Sequence, residues 1–184
     1  MILFQSKEIG LRTLELEDAG LLVRWLSDPV VLEYYEGRDR PLDAEQVRKH
    51  FYEEREEIIP CIIQYNGNDI GYLQFYEIQE EERDIYGFPE DEGAVYGMDQ
   101  FIGEYRYWNK GIGTELIRET VRYLIKERGA RRIAMDPQAW NARALRVYEK
   151  SGFKKTKLLE KHEWHEGEYR DCWLIVYDAD AADA

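Results

Sequence analysis

One stretch limits the fold more than any other: Trp108-Asn109-Lys110-Gly111-Ile112-Gly113-Thr114, lying between an apolar strand and a long amphipathic helix. Ile112, Leu116, Ile117, Val121, Leu124 and Ile125 recur at helical spacing and line one face. Gly129 marks the end of that helix, and residues 131–135 form the next strand. A strand, a helix and a second strand in succession make a parallel crossover, so the fold is mixed α/β. The first N–H groups of the helix have no intrahelical partner, and its dipole adds positive potential. Glycines on either side let a ligand approach the backbone, and Lys110 adds a cation. The result is a cradle for a pyrophosphate. The spacing matches neither GxxxxGK[ST] nor GxGxxG, because Leu116 stands where a third glycine is needed. On this motif alone, a glycine-rich turn without a ligand remains the alternative.

The rest of the chain follows the same pattern. Residues 9–16 alternate as a strand, and residues 17–27 form a helix stopped at Asp28-Pro29. A second helix spans about 43–57. Residues 60–65 and 70–78 are the arms of a hairpin turned at Asn66-Gly67-Asn68-Asp69. Residues 79–93, acidic and without an apolar pattern, read as a loop before a strand at 94–102. A helix at 141–150 precedes two last strands near 154–162 and 169–177, joined by a turn at Glu166-Gly167. The order is β-α-α-β-β-β-α-β-α-β-β, as one domain over 1–177 with an acidic tail, 178–184, expected to fray. Trp25 and Trp173 are expected in the core.

Of the 184 residues, 25 are Lys or Arg and 38 are Asp or Glu, a net charge of −13. That balance argues against nucleic-acid binding, which needs a basic footprint. The charge is also uneven along the chain. Residues 1–103 hold 9 basic and 24 acidic residues, whereas 104–157 hold 14 and 6. A basic middle suits a phosphate-rich ligand, and an acidic first half suits a cationic one. No run reaches the roughly 18–20 apolar residues of a membrane span, and no signal peptide is visible. Cys61 and Cys172 stand far apart in apolar surroundings, which speaks against a disulfide framework and fits a reducing cytoplasm. His162 and His165 stand three apart on a strand and a turn, where they do not converge on a metal, and His50 lies in an exposed helix.

The second motif begins 28 residues after Gly113: Asn141-Ala142-Arg143-Ala144, then Tyr148-Glu149-Lys150-Ser151-Gly152-Phe153. Asn141 is an N-cap candidate, with Tyr148 on the same helix face. With the glycine-opened helix, this run resembles the GNAT superfamily of N-acetyltransferases, and the resemblance extends over nearly the whole chain. It implies a centrally splayed mixed sheet flanked by helices, with acetyl-coenzyme A as donor. It also implies a coenzyme site at Phe101, Ile102, Trp108, Asn109, Lys110, Gly111, Ile112, Gly113, Thr114, Asn141, Arg143 and Ala144. The family usually carries Gln or Arg where this chain has Trp108.

Within the superfamily, Gly97-Met98-Asp99-Gln100, Leu32-Glu33-Tyr34-Tyr35-Glu36-Gly37, Gly71-Tyr72-Leu73-Gln74-Phe75-Tyr76 and Asp136-Pro137 are similar to segments of aminoglycoside 6′-N-acetyltransferases. That resemblance implies Asp99 as general base, Tyr148 as acid for the leaving thiol, and Asp136 as an acceptor contact. Tyr35, Glu77, Asp84, Glu92 and Asp99 complete the candidate acceptor site, no metal being required. The tyrosines at 34, 35 and 76 serve either as stacking surfaces or as core. The expected activity is acetylation of the 6′-amine of an aminoglycoside, hence antibiotic resistance, by a cytoplasmic monomer or homodimer that binds neither nucleic acid nor membrane. The alternatives are a GNAT acting on another amine, such as a polyamine, a siderophore precursor or a protein N-terminus, and a non-catalytic coenzyme-binding module.

Overall fold

The computed structural model describes residues 1–53 and 57–182. Eight strands, β1 (Ile2–Ser6), β2 (Ile9–Thr13), β3 (Ile58–Tyr65), β4 (Asn68–Glu77), β5 (Val95–Ile102), β6 (Arg132–Met135), β7 (Lys154–His165) and β8 (Glu168–Asp178), form an open sheet flanked by helices. Their order is β1-β2-β3-β4-β5-β6-β8-β7. The helices are α1 (Ala19–Trp25), α2 (Pro29–Leu32), α3 (Ala44–Arg48), α4 (Glu80–Tyr86), α5 (Ile112–Arg128), α6 (Ala142–Lys150) and α7 (Ala179–Ala182). The glycine-opened helix, α5, is the crossover between β5 and β6. These two strands pair in parallel from Val95↔Arg132 to Gly97↔Ala134. The pairings of β1 with β2, β2 with β3, β6 with β8 and β7 with β8 are antiparallel.

The chain divides into two compact units, Met1–Phe75 with Asp99–Gly113, and Tyr76–Met98 with Thr114–Ala184. In the first, Leu22, Trp25, Leu26, Val31, Leu32, Val47, Phe51, Ile62, Tyr72 and Phe101 form the core. In the second, Ile78, Val95, Ala134, Leu159, Cys172 and Leu174 do so. The apolar stripe of α5 is buried as its spacing predicts, with Leu116, Ile117, Val121 and Leu124 each at most 3% exposed. Burying such a side chain is worth about 1.5–3 kcal/mol.

The first unit also holds a buried ion pair. The two terminal nitrogens of Arg12 each donate to a different carboxylate oxygen of Asp18 at 2.8 Å, and Arg12 reaches Asp69 at 3.0 Å. Gln64 Nε2 donates to the other Asp69 oxygen at 2.8 Å. Burial opposes ionisation of Asp18, but the bonds from Arg12 and the Glu15 N–H hold its carboxyl below the ordinary value.

Several elements differ from the sequence reading. Strand β1 was not anticipated: its face is half exposed, and the turn that follows uses Lys7 at φ 42° with no glycine to signal it. Asp28-Pro29 ends one helix and opens another, because Asp28 Oδ1 accepts the Val30 N–H at 3.0 Å. The helix expected over 43–57 is α3, opened by an Asp43–Gln46 capping box. A wider turn over Lys49–Glu53 follows and brings Phe51 into the core. Residues 54–56 of that expectation lie outside the described residues.

Residues 79–93 are not a plain loop. They hold α4 and a short 3₁₀ turn at Glu90–Glu92. Three acids in the first turn of α4 favour its positive end, and Gly87 at φ 80° closes it, but none of its residues is buried, so no apolar period marks it. Part of the expected tail has regular structure. Ala179–Ala182 is a helical turn held by Asp180 against Arg131 at 2.7 Å and Arg132 at 3.3 Å, while residues 183–184 lie outside the described residues. Trp25 is in the core, but Trp173 is only half-buried, with Lys155 Nζ 5.1 Å from its ring.

Candidate active site

In the first unit, period-2 alternation puts Tyr72 and Gln74 on one face of β4. The Tyr72 hydroxyl donates to Gln74 Oε1 at 2.9 Å, and Gln74 Nε2 donates to Asp99 Oδ2 at 2.9 Å. Tyr72 and Gln74 are buried, whereas Asp99 is half-buried. A carboxylate is thus held in one orientation by a chain of donors, which is what a proton acceptor requires. Gly71 makes the approach of β4 and β5 possible, since a side chain there would meet the Phe101 carbonyl oxygen at 2.3 Å.

Phe101 itself is a core residue, 6.1 Å from Trp25, 4.5 Å from Tyr35 and 5.8 Å from Tyr72 between ring centroids. Its ring is therefore part of the core, and the half-buried Tyr35 packs against the same cluster. The Ile102 carbonyl accepts the Trp108 indole N–H at 2.8 Å, and Tyr34 and Tyr105 set their rings edge-on to Trp108. Where the family usually has a polar residue, this chain has a strut that fixes the loop from inside.

The loop then turns through Asn109 at φ 59° and Gly111 at φ 79° into α5. Lys110 and Gly111 are exposed, Ile112 is buried, and open space surrounds the Gly111 α-carbon. An open backbone, helix N–H groups and a nearby ammonium fit a pyrophosphate. Thr114 lies in the first turn of α5 within the second unit.

Also in the second unit, Asn141 caps α6 as expected, its Oδ1 accepting the Ala144 N–H at 3.3 Å. Arg143 and Ala144 fall in the first turn of α6. Tyr148, on its last half, is half-buried with its ring 6.3 Å from Phe153, which in turn lies 5.7 Å from Tyr177.

The acidic candidates divide. Glu77 and Asp84 are exposed. Glu92 is engaged by Arg132 Nε at 3.0 Å, so it serves a structural ion pair. Asp136 sits in a cluster that sequence reasoning did not assemble. The Tyr86 hydroxyl donates to its Oδ2 at 2.9 Å, and His162 Nε2 reaches the same oxygen at 2.8 Å. Burial opposes ionisation of Asp136, yet the bonds from His162 and Tyr86 hold its carboxyl below the ordinary range. The bond to Asp136 raises the His162 imidazole above its ordinary value against the effect of burial.

Burial raises Glu82, aided by Asp136 and Glu81, and burial raises Glu163 despite a 2.7 Å bond from Gln138. His162, Tyr86, Glu82 and Glu163 come from distant segments, and no local spacing links them to Asp136. Gln74 was legible only as part of a strand motif. His165 is buried with its ring 5.8 Å from Trp140.

A glycine-turned helix start after a strand, a held carboxylate on that strand and an asparagine-capped second helix define an acyltransferase of the GNAT class. Residues 15–161 match the family model described as "Acetyltransferase (GNAT) domain", and the chain belongs to that family. Acetyl-coenzyme A is accordingly its donor. The chain is 30% identical over 153 residues to aminoglycoside N(6′)-acetyltransferase type 1 of Klebsiella pneumoniae, covering 82% of this chain and 76% of that protein. It is 29% identical over 157 residues to a lysine N-acyltransferase of Mycobacterium tuberculosis, covering 84% and 71%. Among solved structures, aminoglycoside acetyltransferase AAC(6′)-Ib in complex with coenzyme A and kanamycin superposes with a TM-score of 0.74 at 26% identity, over 95% of this chain and 97% of that one. Among the described residues, no helix is long and apolar enough to cross a membrane.

Proposed function

We propose that residues 1–177 act as one domain that transfers the acetyl group to a primary amine of a polycationic small molecule, the 6′-amine of an aminoglycoside. The observation that carries the catalytic part is the Asp99 carboxylate held by Gln74. The 30% identity to an aminoglycoside N(6′)-acetyltransferase supports the choice of acceptor. Such turnover would confer resistance. Both cysteines are free and buried, which fits the cytoplasm as the working compartment.

The acceptor must attack as a neutral amine. An alkyl amine with pKa near 10.4 is unprotonated in only about one molecule in 2,500 at pH 7, a cost of about 4.6 kcal/mol. Asp99 takes that proton, directly or through a water, as the C–N bond forms at the thioester carbonyl. Backbone N–H groups of β5 can stabilise the oxyanion. Collapse breaks the C–S bond, and Tyr148 protonates the departing thiolate before recovering a proton from solvent. The α5 N-terminus, Lys110 and the exposed Gly111 backbone hold the pyrophosphate of the donor, and Asn141 and Arg143 its pantetheine arm. Asp136, with Glu77 and Asp84 at longer range, attracts the acceptor ammonium groups.

Purified protein with acetyl-coenzyme A should release free thiol in the presence of kanamycin, tobramycin or amikacin, with the product acetylated at the 6′-nitrogen by NMR. Failure with all three alongside turnover of spermidine would reject the acceptor. The lysine N-acyltransferase relative supports a second reading, acylation of a lysine side-chain amine. Lysine in the same assay separates the two.

A further inference from the structure

His162 is aimed at Asp136 by an irregular stretch of β7. The β7–β8 register passes from Leu159↔Cys172 to Glu163↔Arg170, so four steps on β7 oppose two on β8. Lys161 sits in this bulge at φ 47°, a conformation unfavourable for a residue with a side chain, and its N–H is taken by Asp171 Oδ1 at 2.9 Å. Bulges re-aim side chains, and this one delivers an imidazole nitrogen 2.8 Å from Asp136 Oδ2.

The charges acting on the imidazole are carboxylates, while the nearby cations are Lys161, its other neighbour on β7, and Lys157, whose Nζ donates to the Ile85 carbonyl of α4 at 3.0 Å. Asp136 lies beyond β6, Glu82 and Tyr86 come from α4, and Glu163 is its own neighbour on β7. Glu81 acts on Glu82. Cys172 on β8 has its thiol raised by burial and by Glu163, Asp136 and Asp171, so it stays neutral. Three carboxylates thus converge where a cation would bind, and the chain places its own titratable cation among them.

We propose that His162 is a built-in counter-cation of the acceptor subsite, occupying Asp136 when protonated and surrendering that carboxylate to an acceptor ammonium when neutral. The inference rests on the reading of Asp136 as an acceptor contact. It makes His162 a positioning residue that sets the pH at which a polycation is bound, without touching the reacting atoms. The bond to Asp136 keeps the imidazole protonated above its ordinary value of 6.5, so the subsite becomes free only on the alkaline side of that value. An acceptor whose affinity depends on the fraction with Asp136 available binds more weakly in proportion to that fraction.

The test compares wild type with His162→Asn, and with His162→Gln should the first fail to fold. The KM of the wild type for kanamycin should be about tenfold higher at pH 6 than at pH 8.5 relative to the same ratio in the variant. The variant shares the titration of kanamycin itself, so the comparison isolates the imidazole. The kcat at saturation should be alike. A wild-type-to-variant KM ratio that stays flat across this range overturns the inference.

Independently of turnover, the His162 ring-proton resonance should titrate at lower pH in the presence of saturating kanamycin and coenzyme A. A titration unmoved by kanamycin overturns the inference whether or not kanamycin is acetylated. A moved titration without acetylation would support it and remove only the assigned acceptor.

Discussion

Gln74 Nε2 donates to Asp99 Oδ2 at 2.9 Å, and the same Gln74 accepts the Tyr72 hydroxyl through Oε1. A half-buried carboxylate on β5 is therefore oriented by an amide that is itself oriented from within the core. A hydrogen bond to a charged group is worth about 1.5–3 kcal/mol. Gln74→Met keeps the volume but removes both polar ends. It should lower kcat at least about tenfold with little change in the KM for acetyl-coenzyme A. It should also lower the unfolding free energy by about 1–3 kcal/mol, because Tyr72 loses this acceptor. Steady-state kinetics and urea titration read the two effects separately.

Asp99 and Tyr148 are assigned opposite proton transfers. General acid–base groups contribute roughly 10²–10⁴ in rate, so Asp99→Asn should reduce kcat within that range while calorimetry finds acetyl-coenzyme A bound as before. Tyr148→Phe retains the ring beside Phe153 and should also reduce kcat while leaving the thermal midpoint in place. Wild-type turnover in either variant removes that residue from the mechanism.

Gly111 combines φ 79° with open space around its α-carbon. Gly111→Ala meets no neighbour, yet forces a side chain into the left-handed region at about 1–2 kcal/mol. It should destabilise the fold by about that amount and raise the KM for acetyl-coenzyme A, since the loop relaxes away from the conformation that presents its backbone. Thermal melts and initial rates at varied donor concentration measure both.

Arg12→Ala leaves Asp18, whose side chain is only 8% exposed, without its cation. Removing one partner of a buried pair costs about 3–5 kcal/mol, and the loss should appear in the denaturation midpoint. The pH dependence has a definite sign. The Asp18 carboxyl is held below its ordinary value of 3.8 in the folded state. Its stabilisation is therefore present above that value and lost as pH falls through the lower folded value. The acid limb of the wild-type stability curve should be steeper than that of Asp18→Asn.

Much of the fold was legible in short-range chemistry. Asn66-Gly67 turns the hairpin, both residues at positive φ. Asn141 caps α6, and the i, i+4, i+5 stripe of α5 is buried. Where local chemistry carried no signal, the reading failed. Helix α4 buries no residue, and β1 turns at a lysine.

The chain order alone therefore dictated the parallel crossover, the glycine-turned start of α5 and the asymmetry between a basic middle and an acidic first half. Each follows from backbone geometry or composition within a few residues. Folding decided which carboxylates are held and by what. Gln74 reaches Asp99 across 25 residues, His162 reaches Asp136 across 26 and Tyr86 reaches it across 50. Such partners meet only through strand register, the β7 bulge and the placement of α4. A one-residue shift of register would turn Gln74, Asp99 or His162 to the opposite face of its strand.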